Sequence, residues 1–179
     1  MTNATDCQAG VDERVLAWRG VRLRYYVGGA GASLLLLDGS AASFGQLVPL
    51  VGPGRRLLLP DVPGRGSEAS SPAGIADLLA ALCAHEDAGE VDVFGSGAGA
   101  TIGLLLALRQ PGLVRRLVLA GPADGARPAC PVLVLNGGSD GFQLARRLGA
   151  SLRVVAGSGG ALLEERPDVC AAVVRDFLV

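Results

Sequence analysis

The sequence predicts an α/β protein: a mostly parallel, doubly wound sheet with an antiparallel hairpin at its N-terminus. Three observations carry this. Short, continuous apolar runs bounded by glycine or proline alternate with stretches of helical periodicity, the pattern of βαβ units. The segment Val91–Ala100 reads as a buried strand, a tight glycine turn and an apolar helix. Near the start, two alternating segments flank Arg19-Gly20, as a hairpin requires.

Length and composition set the frame. The 179 residues suffice for one domain with a real core, and half of them are apolar. Aromatics are few, so that core is built from Leu, Val and Ala. Every basic residue is Arg, which with the many Ala and Gly is a mark of GC-rich coding rather than a physical demand. The formal net charge of −1 points to neither nucleic acid nor an anionic membrane surface as a partner. The polar residues Met1–Gly10 have neither the basic start nor the apolar core of a signal peptide, and no apolar run is long enough to span a bilayer. A cytoplasmic location is therefore the expectation. Cys7, Cys83, Cys130 and Cys170 are scattered and the chain has a single His, so they read as reduced hydrophobes rather than metal ligands. No metal and no cofactor is expected.

In chain order, residues 1–13 are expected to be flexible and 14–179 to form the domain. Arg14–Trp18 and Arg22–Val27 make the hairpin. Ser33–Leu37 and Arg56–Leu59 are apolar runs of central strands buried on both faces. Ala42–Val51 is a short helix. Ser71 is placed to cap a helix entered by Pro72, with Ile75, Leu78, Leu79, Leu82 and Cys83 on its apolar side. Val91–Phe94 is the central strand, and Ala98–Arg109, apolar nearly all round, is a buried helix stopped by Pro111. Strands at Arg116–Ala120, Pro131–Leu135 and Leu152–Ala156, a helix at Phe142–Leu148 and a closing helix at Leu162–Leu178 complete the pattern. In such sheets ligands lie beyond the carboxyl ends of the strands.

The succession resembles the α/β-hydrolase superfamily over nearly the whole chain. Leu34–Ser40 stands where the family has a strand running into His-Gly. Leu59-Pro60-Asp61-Val62-Pro63-Gly64-Arg65-Gly66-Ser67 resembles its Asp-x-Pro-Gly-His-Gly-x-Ser loop. Gly95-Ser96-Gly97-Ala98-Gly99 stands at the nucleophile turn, normally Gly-x-Ser-x-Gly. Asn136-Gly137-Gly138-Ser139-Asp140 resembles the segment that delivers the acid, and Gly157-Ser158-Gly159-Gly160 stands where the family has Gly-x-Gly-His.

The departures from that pattern bear on chemistry. The nucleophile position is Gly97, the catalytic histidine position is Gly160, and the histidine before the oxyanion-hole glycine is Asp38. Of the triad, only the acid, Asp140, remains. An acid in that role orients an imidazole, and here there is none to orient. Ser96 is one residue early on the turn, which aims its side chain elsewhere. His85, the one imidazole, follows a helix and should lie at the opposite end of the sheet.

Asp38 and Asp140 are thus the candidate acid–base residues, suited to an elimination, isomerisation or cyclisation without a covalent intermediate. Gly39, Ser40, Ser96, Gly97, Ala98 and Gly160 are the expected ligand pocket. A small apolar metabolite, in a biosynthetic setting by association only, is the expected ligand. A catalytically inactive protein that holds a ligand or partner is the alternative, and a residual esterase through Ser96 is a remote one. Asp61 and Arg65 are expected to hold their own loop. Finally, Gly121–Ala129 is short where the family carries a lid and a helix. An open pocket and an exposed apolar patch at Leu117, Leu119, Val132 and Val134 follow, the latter a contact for a second copy or a partner protein.

Overall fold

A computed structural model describes residues 11–38, 45–62, 71–138, 141–156 and 162–179. Eight strands form one sheet in the order β1-β2-β4-β3-β5-β6-β7-β8. They are β1 (Val11–Trp18), β2 (Val21–Gly29), β3 (Ala32–Leu37), β4 (Arg55–Pro60), β5 (Val91–Ser96), β6 (Val114–Ala120), β7 (Val132–Asn136) and β8 (Ser151–Val154). β2 runs antiparallel to β1 and β4; from β4 onward every pairing is parallel. The turn of the β1–β2 hairpin is Arg19-Gly20, both with positive φ (47° and 79°), which matches the twist of the flanking strands. The Arg19 guanidinium stacks 4.7 Å from the Trp18 ring centroid.

Helices cover both faces. One face packs α2 (Pro72–His85), α3 (Ala98–Arg109) and α4 (Gly141–Leu148) against Leu35, Leu37, Val93, Leu117, Leu119 and their neighbours. The other packs α1 (Val48–Val51), α5 (Leu162–Glu165) and α6 (Pro167–Phe177) against Leu34, Leu36, Phe94, Val118 and Leu133. The alternation of side chains along each strand explains the division, since successive residues feed opposite layers. α2 starts where its sequence says: Ser71 Oγ accepts from the Gly74 amide at 3.0 Å, with Pro72 in the first turn.

Four expectations need correction. Val11–Glu13 are not a flexible lead-in; they pair with Gly28, Val27 and Tyr26 as the first rungs of the hairpin. The helix at Ala42–Val51 is reduced among the described residues to Val48–Val51 after a turn. The strand expected at Leu152–Ala156 starts and ends earlier, as Ser151–Val154. The single closing helix is two, because Pro167 has no amide to continue α5 and restarts the chain as the first residue of α6.

The fifth correction is larger. Leu117, Leu119, Val132 and Val134 are all buried, not an open patch. α3 lies directly on these strands: a Cβ added to Gly103 would stand 3.1 Å from Val93 and 3.3 Å from Leu117. The short segment after β6 does the rest. Ala123 is buried, Gly125 sits against Leu104 and Leu108 of α3, and Arg147 of α4 bonds the Ala123 carbonyl. The eleven residues between β6 and β7 thus cover part of the seam between α3 and α4. No described helix is long and apolar enough to cross a membrane.

Candidate functional site

The turn between β5 and α3 is built by close approach. A Cβ at Gly95 would lie 2.4 Å from the Gly99 carbonyl oxygen, and a Cβ at Gly99 would lie 1.9 Å from the Leu37 carbonyl oxygen. Neither position accepts a side chain. The first turn of α3 is thereby pressed onto the end of β3, which brings Asp38 to the turn. Between the two glycines, Gly97 has φ 53° and ψ −121°, the backbone of a sharp strand-to-helix elbow. It is held by its amide bond to the Ala120 carbonyl (3.1 Å) and by its own carbonyl, which accepts from Ala100 (3.2 Å).

Gly97 differs from its neighbours in one respect. Among the described residues, a Cβ there would meet only the Asp38 carboxylate, at an ordinary 3.6 Å. Steric demand explains Gly95 and Gly99; at Gly97 only the positive φ favours glycine. The elbow is preserved, and among the described residues the place of its side chain is open and faced by Asp38. Beyond it, the amides of Ala98 and Gly99 begin α3, where helix amides have no partner within the helix.

Ser96 and His85 lie where neither can serve this place. Ser96 ends β5 on the face of Phe94, opposite Gly95, by strand alternation. His85 is exposed at the last residue of α2, beside the amino end of β5. Asp140, Gly39, Ser40, Gly160 and Arg65 lie outside the described residues. Asp61 bonds Arg24 of β2 (Nε at 2.7 Å, and an ion pair at 2.6 Å), so it ties the start of its loop to the hairpin. Among the described residues no three of His, Cys, Asp and Glu come together as a metal site would need.

A cavity of about 420 Å³ opens beside the elbow, at the carboxyl ends of β6 and β7 and under α4. Gly121 separates the two: a Cβ on it would stand 3.1 Å from the Gly97 amide. Leu135, Leu144, Leu162 and Ala120 supply apolar wall, and Asn136, Gln143 and Arg147 the polar groups. Of the expected pocket residues, Ser96, Gly97 and Ala98 are at the elbow but do not line this cavity. The sequence pattern puts ligands beyond the carboxyl ends of the strands and names the segment from Asn136, but it does not single out Gln143 or Arg147. The available signal was α4 itself, which carries polar residues on the side away from Leu144, Ala145 and Leu148.

The fold is that of the α/β-hydrolases. It is similar to Cfl2 from Burkholderia cenocepacia, with a TM-score of 0.84 at 18% identity over 95% of this chain and 96% of that one. It is similar to the epoxide hydrolase CorEH (TM-score 0.79, 13% identity, 94% and 98% of the two chains). It also resembles the N-acyl homoserine lactonase AidH (TM-score 0.80, 18% identity, 94% and 96%). In sequence, 2-hydroxymuconate semialdehyde hydrolase of Pseudomonas sp. (strain CF600) is 30% identical over 145 residues, which are 70% of this chain and 48% of that protein. The chain thus spans about half the length of this curated relative. No family model matches the chain.

Proposed function

We propose that this α/β-hydrolase-fold protein takes a small, largely apolar metabolite at the carboxyl ends of its strands and acts on it without hydrolysing it, by an acid–base step that forms no covalent enzyme intermediate. The observation that carries the reading is Gly97: the elbow keeps its backbone, and the position that would hold a nucleophile is a hydrogen atom facing Asp38. The relatives named as hydrolases support the fold and the location of the site. Hydrolysis by the Ser-His-Asp route needs a nucleophile and an imidazole, and both positions are glycine in this chain.

The remaining groups suit proton transfer. A carboxyl at Asp38 can give or take a proton at the open place beside Gly97, and the amides of Ala98 and Gly99 can bind a carbonyl oxygen there. Asp140, the acid that the sequence pattern retains, is the second carboxyl of this reading. Such a pair fits an elimination, isomerisation or cyclisation.

The test has two stages. With p-nitrophenyl acetate and butyrate, the wild-type protein should release p-nitrophenol no faster than an inert protein control, whereas Gly97→Ser with Gly160→His should gain hydrolysis. Turnover by wild type in the ordinary enzyme range of about 1 s⁻¹ or more would refute the reading. Native mass spectrometry of the purified protein then identifies a retained metabolite. Conversion of that compound by wild type but not by Asp38→Asn assigns an enzyme; release unchanged by both assigns a protein that only holds its ligand.

A further inference from the structure

The cavity under α4 has a chemistry of its own, separate from the elbow. Its described lining carries one cation, Arg147, and no acidic side chain. Arg147 makes two bonds: NH2 donates to the Ala123 carbonyl at 2.6 Å, and NH1 to Asp124 Oδ1 at 2.9 Å. Guanidinium has five N–H donors, so three remain. The two bonds are unequal. The Ala123 carbonyl belongs to the cavity wall and fixes the guanidinium at its edge. Asp124 is 93% exposed, and an ion pair so open to water contributes little and exchanges readily.

Asn136 is fixed as well. Its Oδ1 accepts from the Gly138 amide at 2.8 Å, which leaves Nδ2 as a donor. Gly141 makes room for it, since a Cβ on Gly141 would stand 2.6 Å from that of Asn136. The donors of Arg147 and Asn136, with the aliphatic lining of Leu135, Leu144, Leu162 and Ala120, suit an amphipathic anion. A volume of about 420 Å³ is in the range of small-molecule sites.

We infer that this cavity binds a small carboxylic acid with an aliphatic chain, Arg147 holding the carboxylate and taking the place of its bond to Asp124. The inference rests on the reading that the carboxyl end of the sheet receives a small molecule, and it names the class. A planar carboxylate matches the guanidinium fork in two parallel bonds, which an amide or alcohol of equal length cannot reproduce.

Isothermal titration with hexanoate and hexanamide at equal ionic strength tests it. Hexanoate should bind at least tenfold more tightly than hexanamide, and Arg147→Gln should remove that preference. Gln143→Trp, at an exposed position on the rim, should block binding of both. Asp124→Ala should tighten hexanoate binding severalfold, because it removes the competing carboxylate; a merely structural Arg147–Asp124 pair would give no gain. In a ¹⁵N spectrum the Arg147 Nε signal should shift with hexanoate and not with hexanamide. Equal binding of acid and amide, unchanged binding by Arg147→Gln, or no hexanoate binding at 10 mM would each overturn the inference. These are equilibrium measurements, so ester turnover, which would refute the proposed function, leaves them readable.

Discussion

The two ends of the sheet are built on opposite terms. At the amino end, two buried carboxylates are each held by several donors. Asp92, on β5, has no exposed side chain surface; it accepts from Arg55 at 2.6 Å and from Arg115 at 2.6 and 2.9 Å, and both arginines also bond the Leu178 carbonyl. Glu86, after α2, accepts from Arg14, Arg56 and Tyr25. At the carboxyl end the elbow has given up its side chain, and a cavity stands open with a cation on its wall. Buried carboxylates at the amino end knit β4, β5, β6 and the C-terminus together. At the other end the same fold leaves room. Function is therefore sought where the structure does not fill its own space.

The largest effect should come from breaking the amino-end cluster. Asp92→Asn leaves Arg55 and Arg115 without their shared counter-charge and should cost about 3–5 kcal/mol in urea unfolding. Gly97→Ser in the same assay tests the other end and should cost far less.

Glu86 comes next, with a pH signature. Burial pushes its carboxyl up, but bonds from Tyr25 and Arg14 and the charges of Arg14 and Arg56 outweigh this and hold it below the ordinary range. The unfolded chain then binds the proton more readily than the folded one. The stabilisation is fully present above the unfolded value and is lost as pH falls through the folded one. Glu86→Gln should cost about 1.5–3 kcal/mol at pH 7 and flatten the acid limb of the stability curve. An acid limb identical to wild type would remove Glu86 from the account. Burial, with Glu86 adjacent, also pushes the Tyr25 phenol up to about 12.

Two glycines of the elbow sharpen the contrast within the carboxyl end. Gly99→Ala drives a methyl into the Leu37 carbonyl and should destabilise by about 3 kcal/mol. Gly97→Ala meets only an ordinary contact with Asp38, so its cost is the backbone strain of a positive φ, about 1 kcal/mol. Thermal unfolding of the two variants should rank them in that order; the reverse would mean that Gly97 is there for packing. The smallest effect belongs to Asp77 and Arg109, an exposed bidentate pair at 2.8 and 2.9 Å between α2 and α3. A double-mutant cycle should give about 0–1 kcal/mol.

Sequence reading was best where the physics is local. The apolar runs Leu34–Leu37 and Val91–Phe94, the Arg19-Gly20 turn and the Ser71-Pro72 helix start each announce themselves within a few residues. The elbow was legible for the same reason, because Gly95, Gly97 and Gly99 are spaced along one turn. What escaped depends on distant partners. Asp92 sits in an apolar run with nothing nearby to show that Arg55, Arg115 and the Leu178 carbonyl converge on it. The segment after β6 has no periodicity, so its packing over part of the seam through Ala123 and Gly125 could not be read. Arg147 looks like any polar residue of a surface helix until the Ala123 carbonyl fixes it at the cavity edge.

The measurement that bears most directly on the missing nucleophile is intact-protein mass spectrometry after incubation with a fluorophosphonate and, separately, with p-nitrophenyl butyrate quenched in acid. With a hydrogen atom at position 97, the wild-type mass should be unchanged by both reagents. A stoichiometric adduct mapped to Ser96, or to any other serine, would contradict the account.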